Sequence, residues 1–172
     1  MSFKTLYSED LHRYVNPSGF LKKFHKYFRK SQSCNNPILK KLYRYLFRKT
    51  AAKNGIEIDP STKIGGGLYI GHPYNITINP NVVIGKNLNI HKGVVIGQEN
   101  RGKRKGTPTI GNNVWIGINA AIIGNITIGD DVLIAPNSYV NCDVPSHSVV
   151  FGNPCVIKSR ENATENYINR TV

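Results

Sequence analysis

From residue 58 the chain repeats itself every six residues. Aliphatic side chains stand at Ile58, Ile64 and Ile70, then at Ile78, Ile84, Ile90 and Ile96, then at Ile110, Ile116, Ile122, Ile128, Ile134 and Val140. A glycine or other small residue commonly follows (Gly65, Gly85, Gly111, Gly117, Gly129, Ala135). A small or aliphatic residue falls four places on (Val82, Val94, Val114, Ala120, Val132, Ser138). Period six fits neither the 3.6 nor the 3.5 repeat of helices, and the Gly, Asn, Thr and Pro content opposes helix. A six-residue unit is one short strand and a turn. It cannot bury its own apolar face, so such units must stack as coils of a solenoid. With three hexads to a coil, these positions predict a triangular β-helix of between four and five coils.

The period breaks twice. Ile70 to Ile78 is eight residues, and the extra pair falls within GHPYN, beside His72. Ile96 to Ile110 is fourteen, which predicts a loop of eight extra residues within QENRGKRKGTPT. Insertions in a solenoid emerge as loops on one face and are often functional.

Residues 1–53 are different in kind. They hold thirteen Lys and Arg against Glu9 and Asp10, a net +11 of the chain's +13. FLKKFHKYFRK (20–30) and PILKKLYRYLFRK (37–49) place apolar residues at helical spacing between cations, and Pro37 suits a first helical turn. The two stripes are expected to pack on the rest of the chain or on another subunit. The alternative is a basic, aromatic surface resting on anionic lipid or a lipid-linked polyanion at the membrane face. No helix-turn-helix, metal finger or RNP-like motif points to nucleic acid. No apolar run of 18 residues and no signal-peptide pattern is present, so a cytoplasmic location is expected. Cys34, Cys142 and Cys155 are odd in number and widely spaced. They predict free thiols, with no disulfide framework and no metal site. The expected division is 1–54 (basic helical segment), 55–158 (solenoid) and 159–172 (C-terminal tail).

The hexads, the segment GLYIGHPYN, the loop ending in TPTIGNNVWIG and the ending VPSHSVVFGNPC resemble the left-handed β-helix acyltransferases, most closely their serine O-acetyltransferase branch. The resemblance covers about residues 55–158. It implies a mainly β fold, a left-handed parallel β-helix with a short helical N-terminal segment. It also implies acetyl transfer from acetyl-CoA to a hydroxyl, with no metal, in a homotrimer whose active sites lie between subunits. Pairing of trimers through the N-terminal helices is the alternative assembly. By similarity His72 is the general base, and Glu57 stands where the family carries an aspartate that orients it. The CoA groove would run along Trp115, Gly117, Asn119 and Ala120 with Ala135 and Pro136, held largely by backbone groups. Lys103, Arg104 and Lys105 would meet CoA phosphates. His91 is read as a coil residue, with a place in the same cleft as the alternative.

The chain also departs from that branch. The acid expected before the histidine is Gly71, and the Arg-His pair expected before the loop proline is Gly106-Thr107. A zwitterionic acceptor needs partners for both its charges. The expected acceptor is therefore a sugar of a cell-surface polysaccharide or its precursor. The alternatives are serine, as in cysteine biosynthesis, or no catalysis at all, the solenoid serving as a scaffold.

Overall fold

The computed structural model describes residues 2–172. Three helices come first: α1 (Phe3–His12), α2 (Gly19–Ser33) and α3 (Pro37–Ala52). Each starts at a side-chain cap. Ser2 accepts the N–H of Thr5, Ser18 that of Leu21, and Asn36 those of Ile38 and Leu39. The sequence predicts α2 and α3 but not α1, whose polar run FKTLYSEDLH has no continuous apolar stripe and buries chiefly Asp10.

The solenoid follows. Its first coil carries β1 (Glu57–Ile58), β2 (Lys63–Ile64) and β3 (Tyr69–Gly71). The second carries β4 (Thr77–Ile78), β5 (Val83–Ile84) and β6 (Asn89–His91). The third carries β7 (Val95–Gly97), β8 (Thr109–Ile110) and β9 (Val114–Ile116), and the fourth β10 (Ala121–Ile123), β11 (Thr127–Ile128) and β12 (Val132–Ile134). The last coil has β13 (Tyr139–Val140) and β14 (Ser148–Phe151). β15 (Val156–Ser159) then turns back antiparallel on β14 and closes the lower end. Three sheets result, ordered β1-β4-β7-β10-β13, β2-β5-β8-β11 and β3-β6-β9-β12-β14-β15. The coils wind left-handed, an exception to the right-handed rule for parallel crossovers.

All thirteen hexad aliphatics point inward, none more than 6% exposed. The register also confirms both breaks. Ile58 pairs with Ile78, twenty residues on, and Ile84 pairs with Ile110, twenty-six on, whereas Ile116 pairs with Ile134 after the regular eighteen. One irregularity escaped the sequence: Val132 pairs with Ser148 after only sixteen, because the chain is two residues short between Val140, eighteen from Ile122, and Val144, which already bridges Ile128 after sixteen.

Two columns of residues make the corner between the second and third sheets. Asn87, Asn113, Asp131 and His147 stack one per coil with φ between 53° and 58°, a left-handed conformation that Asn and Asp tolerate better than most. Gly65, Gly85, Gly111 and Gly129 form the other column. A Cβ on Gly85 would stand 2.7 Å from the Gly111 carbonyl oxygen of the next coil. Gly85→Ala should therefore cost about 1–3 kcal/mol through forced separation of the coils. A thermal melt of the variant that matches wild type would show the stack to be looser than this.

The helices cap the upper end. Phe24, Phe28 and Phe47 are fully buried against one another, with Phe47 5.0 Å and 5.2 Å from the other two rings, over the first coil's Leu68 and Ile64. The first coil has no coil above it to complete its backbone bonds, and side chains of α1 and α2 do so instead. Arg29 donates to the carbonyls of Ile64 (2.7 Å) and Gly65 (2.6 Å), and Gln32 to that of Thr62 (2.9 Å). Asp10 accepts the N–H of Leu68 (2.9 Å), and the Tyr14 hydroxyl that of Ile70 (2.7 Å). Asp10 and Arg29, both fully buried, pair through two bonds of 2.7 and 2.9 Å, and His25 joins the same carboxylate at 3.2 Å. Part of the basic N-terminal charge is thus structural. The stripe on α2 packs inward as expected, while α3 leaves Ile38, Leu39, Leu42 and Tyr45 exposed. Among the described residues no helix is long and apolar enough to cross a membrane.

The C-terminal tail runs back along the third sheet. Asp131 accepts the N–H groups of Ala163 and Thr164, the Tyr167 carbonyl accepts from Asn89, and Arg170 donates to the His12 carbonyl. Cys142 and Cys155 are free thiols, as expected, although the fold brings their sulfurs to 3.6 Å.

Candidate active site

The slip after Ile70 turns His72 out of the stack. His72 takes φ 55°, and its carbonyl accepts the Tyr74 N–H in a tight turn. The turn is pinned from both sides: Asn54 Nδ2 donates to the Pro73 carbonyl (2.8 Å), and the Gly93 N–H to that of Tyr74 (3.1 Å). The imidazole is exposed at the exit of β3. Glu57 is exposed on β1, in the neighbouring sheet, and within the single chain no hydrogen bond joins it to His72.

A second imidazole stands beside the first. His91 lies one coil below Gly71, in register with it. A Cβ on Gly71 would meet the Cε1 and Nδ1 atoms of His91 at 2.5 Å, so the imidazole occupies the space that an acid at position 71 would need. The ring centroid of His91 is 6.3 Å from that of His72 and 4.9 Å from Trp115, and Trp115 packs edge-on against Tyr167 at 5.1 Å. The reading of His91 as a plain coil residue misses this. The signal was present in the sequence: a glycine at 71 and a histidine one twenty-residue coil later.

Burial pushes the His91 imidazole below its ordinary value, and the nearby His72 adds to the effect. A histidine depressed in the folded state favours the native structure when neutral. That contribution is full above about pH 6.5 and is lost as the pH falls through the lower native value. Trp115 should report this protonation as a fluorescence transition with a midpoint below 6.5. The transition should vanish in His91→Gln, and its persistence there would assign it to another group.

Below the tail lies a cavity of about 470 Å3, walled by Tyr69, Asn89, His91 and Trp115 of the third sheet, by Arg13 and Tyr14 at the end of α1, and by Tyr167 and Arg170 of the tail. Burial holds the Tyr14 phenol far above its ordinary value, so it stays protonated.

The residues expected to line a CoA groove divide. Gly117 is required by the stack, because a Cβ there would stand 2.5 Å from the Pro136 nitrogen. The N–H groups of Gly117, Asn119, Ala120 and Ala135 all donate within the solenoid, to Ile134, Lys92, Gly117 and Val150. Ala120 is fully buried and its carbonyl accepts the Val95 N–H, so neither its side chain nor its backbone N–H is free for a ligand. Those N–H groups are engaged within the solenoid. Pro136 and the Asn119 side chain remain exposed and Ala135 is half-buried. Trp115 lines the cavity. Lys103, Arg104 and Lys105 are exposed on the loop, which folds back where the Arg104 carbonyl accepts the Asn125 N–H, between β10 and β11. Within one chain this cationic loop is not on the sheet that carries Trp115.

Residues 107–142 match the bacterial transferase hexapeptide (six repeats) family. The repeats are those of the hexapeptide transferases. The hexapeptide solenoid here is 41% identical over 99 residues to a serine acetyltransferase of Helicobacter pylori, covering 58% of each chain. It is 41% identical over 113 residues to that of Staphylococcus xylosus, covering 66% of this chain and 52% of the other. The chain thus spans little more than half the length of these relatives. Among solved structures it superposes on soybean serine acetyltransferase with a TM-score of 0.72 at 26% identity, covering 91% of this chain and 69% of the other. A serine acetyltransferase solved in complex with CoA gives 0.67 at 30% identity over 78% and 55%. Coverage of 91% extends past the solenoid into the helical N-terminal segment.

Proposed function

We propose that this protein is an acetyl-CoA-dependent O-acetyltransferase in which His72 is the general base. The observation that carries this reading is His72 itself, turned outward at the slip after Ile70 in a solenoid whose relatives are named serine acetyltransferases. An imidazole with a pKa near 6.5 can take the proton of an acceptor hydroxyl at neutral pH. The hydroxyl oxygen then bonds to the thioester carbonyl carbon, the carbon–sulfur bond breaks, and the imidazolium returns its proton to the departing CoA sulfur. Glu57 is the proposed orienting carboxylate. Glu57→Gln should lower kcat by about tenfold or more if it stabilises the imidazolium, and an unchanged kcat would remove it from the mechanism.

Serine is the acceptor that the relatives support, and neither a glycan acceptor nor a membrane role is supported by them. The second reading, a hydroxyl compound without an ammonium group such as a polysaccharide sugar, is favoured by the His91 ring filling the place of an acid beside Gly71. Purified protein with acetyl-CoA and L-serine or a sugar panel separates the two by release of free thiol. Serine-dependent release supports the first, sugar-dependent release the second, and no release with any acceptor overturns both. A trimer is proposed as the working assembly. Val83 and Val95, exposed on the two sheets the tail does not cover, are apolar surface for neighbouring copies, and the exposed stripe of α3 is available for pairing trimers.

A further inference from the structure

The cavity under the tail has an unbalanced charge. Two guanidinium groups line it and no carboxylate does. Arg13 is only 4% exposed, yet its hydrogen bonds go to neutral oxygens: Nε to the Asn169 carbonyl (2.9 Å), Nη1 to the Gly67 carbonyl (2.7 Å) and Nη2 to Asn89 Oδ1 (2.6 Å). A guanidinium has five N–H donors, so two of those on Arg13 remain. Asp10, the acid whose field reaches Arg13, is held by Arg29, His25 and the Leu68 N–H. Arg170 donates Nε to the His12 carbonyl, and among the described residues no acid lies within ion-pair distance of Arg13 or Arg170. A buried cation without a counter-ion is costly unless something anionic completes it. Arginine forks suit carboxylate and phosphate oxygens.

We propose that this cavity seats an anionic group of the acceptor, a carboxylate or a phosphate, and rejects an ammonium. The proposal rests on the acetyl-transfer reading, because the link to chemistry is His91, which walls the cavity and stands 6.3 Å from His72. Tyr69 and Trp115 offer flat apolar surface to the body of such a molecule. An ammonium would enter beside two guanidinium groups with no carboxylate to receive it. Position 71 holds no acid to receive it, and the His91 ring stands in that space. The selectivity is therefore for hydroxylated acids over amino alcohols.

Trp115 is the only tryptophan in the chain, and it lines the cavity, so its fluorescence reads binding directly. The full-length protein is titrated at constant ionic strength with glycolate, glucuronate, inorganic phosphate, L-serine, L-serine methyl ester and glycerol. The expected result is a saturable change with glycolate and glucuronate, a weaker one with the zwitterion serine, and none with the cationic ester or glycerol. Phosphate binding tighter than either carboxylate would assign a phosphate-bearing acceptor to the same seat. Arg170→Ala, at an exposed position, should weaken anion binding about tenfold or more. No saturable response to any anion, an ester response equal to that of glycolate, or serine binding more tightly than glycolate overturns the proposal. His72→Ala should keep the anion response while losing thiol release. Thiol release without anion binding therefore removes the cavity's role alone, and anion binding without thiol release removes acetyl transfer alone.

Discussion

His72→Ala should lower kcat for thiol release from acetyl-CoA by about 10²–10⁴, the usual worth of a positioned general base. The melting temperature should stay where it is, because the side chain is exposed and makes no hydrogen bond among the described residues. Stability and activity thus separate in one variant. A fall smaller than about threefold would place the base elsewhere. The first candidate would then be His91, 6.3 Å away. The comparison is informative because the two imidazoles differ in environment: His72 faces solvent, and His91 is partly buried and held neutral. If His91→Gln rather than His72→Ala abolished thiol release, the second imidazole would be the base. A solenoid serving only as a scaffold predicts no acceptor-dependent thiol release in either variant or in wild type.

Asp10→Ala should be the most destabilising single substitution in the N-terminal segment. It removes the carboxylate that receives Arg29, His25 and the Leu68 N–H, and it leaves a fully buried guanidinium without its ion-pair partner. Breaking one side of a buried pair costs about 3–5 kcal/mol. Chemical denaturation should show this as a lower midpoint. Burial alone would raise the Asp10 carboxyl, but the hydrogen bonds and charges of His25 and Arg29 outweigh it and hold the group below its ordinary value. The sign follows. A depressed carboxyl stabilises the fold above its unfolded value of about 3.9, and the contribution is lost as the pH falls through the lower native value. Asp10→Asn should flatten the acid end of the stability curve. If the variant kept wild-type acid sensitivity and midpoint, the buried pair would not be what ties the helices to the solenoid.

The solenoid was legible because one spacing sufficed. Every hexad position found by period six is buried, and both breaks were readable to the residue as coil lengths. The shortened last turn was not, since loss of two residues beside Val140 leaves no further hexad to count from. α1 escaped because its principal contribution is one buried acid, and burial of a charge leaves no apolar period to detect. At the site, similarity located His72 and the slip explained its exposure. The basic segment suggested a surface, whereas Arg13 and Arg29 lie inside, bonded to backbone oxygens of the first coil. Their role depends on tertiary neighbours more than thirty residues away in sequence. The same holds for the tail over Trp115.

The hydrogen-bonded lid on the first coil has a consequence for how the molecule begins and ends. A stack of identical coils has no intrinsic limit, and an uncovered coil is a template for any strand that can pair with it. Here the side chains of Asp10, Tyr14, Arg29 and Gln32 take the bonding positions a further coil would take, and they do so with groups that cannot propagate. Removing residues 1–50 would therefore not yield a smaller version of the same molecule. It would bare one open end while β15 still closes the other, and the expected product is pairing of two molecules through their bared ends rather than a trimmed monomer.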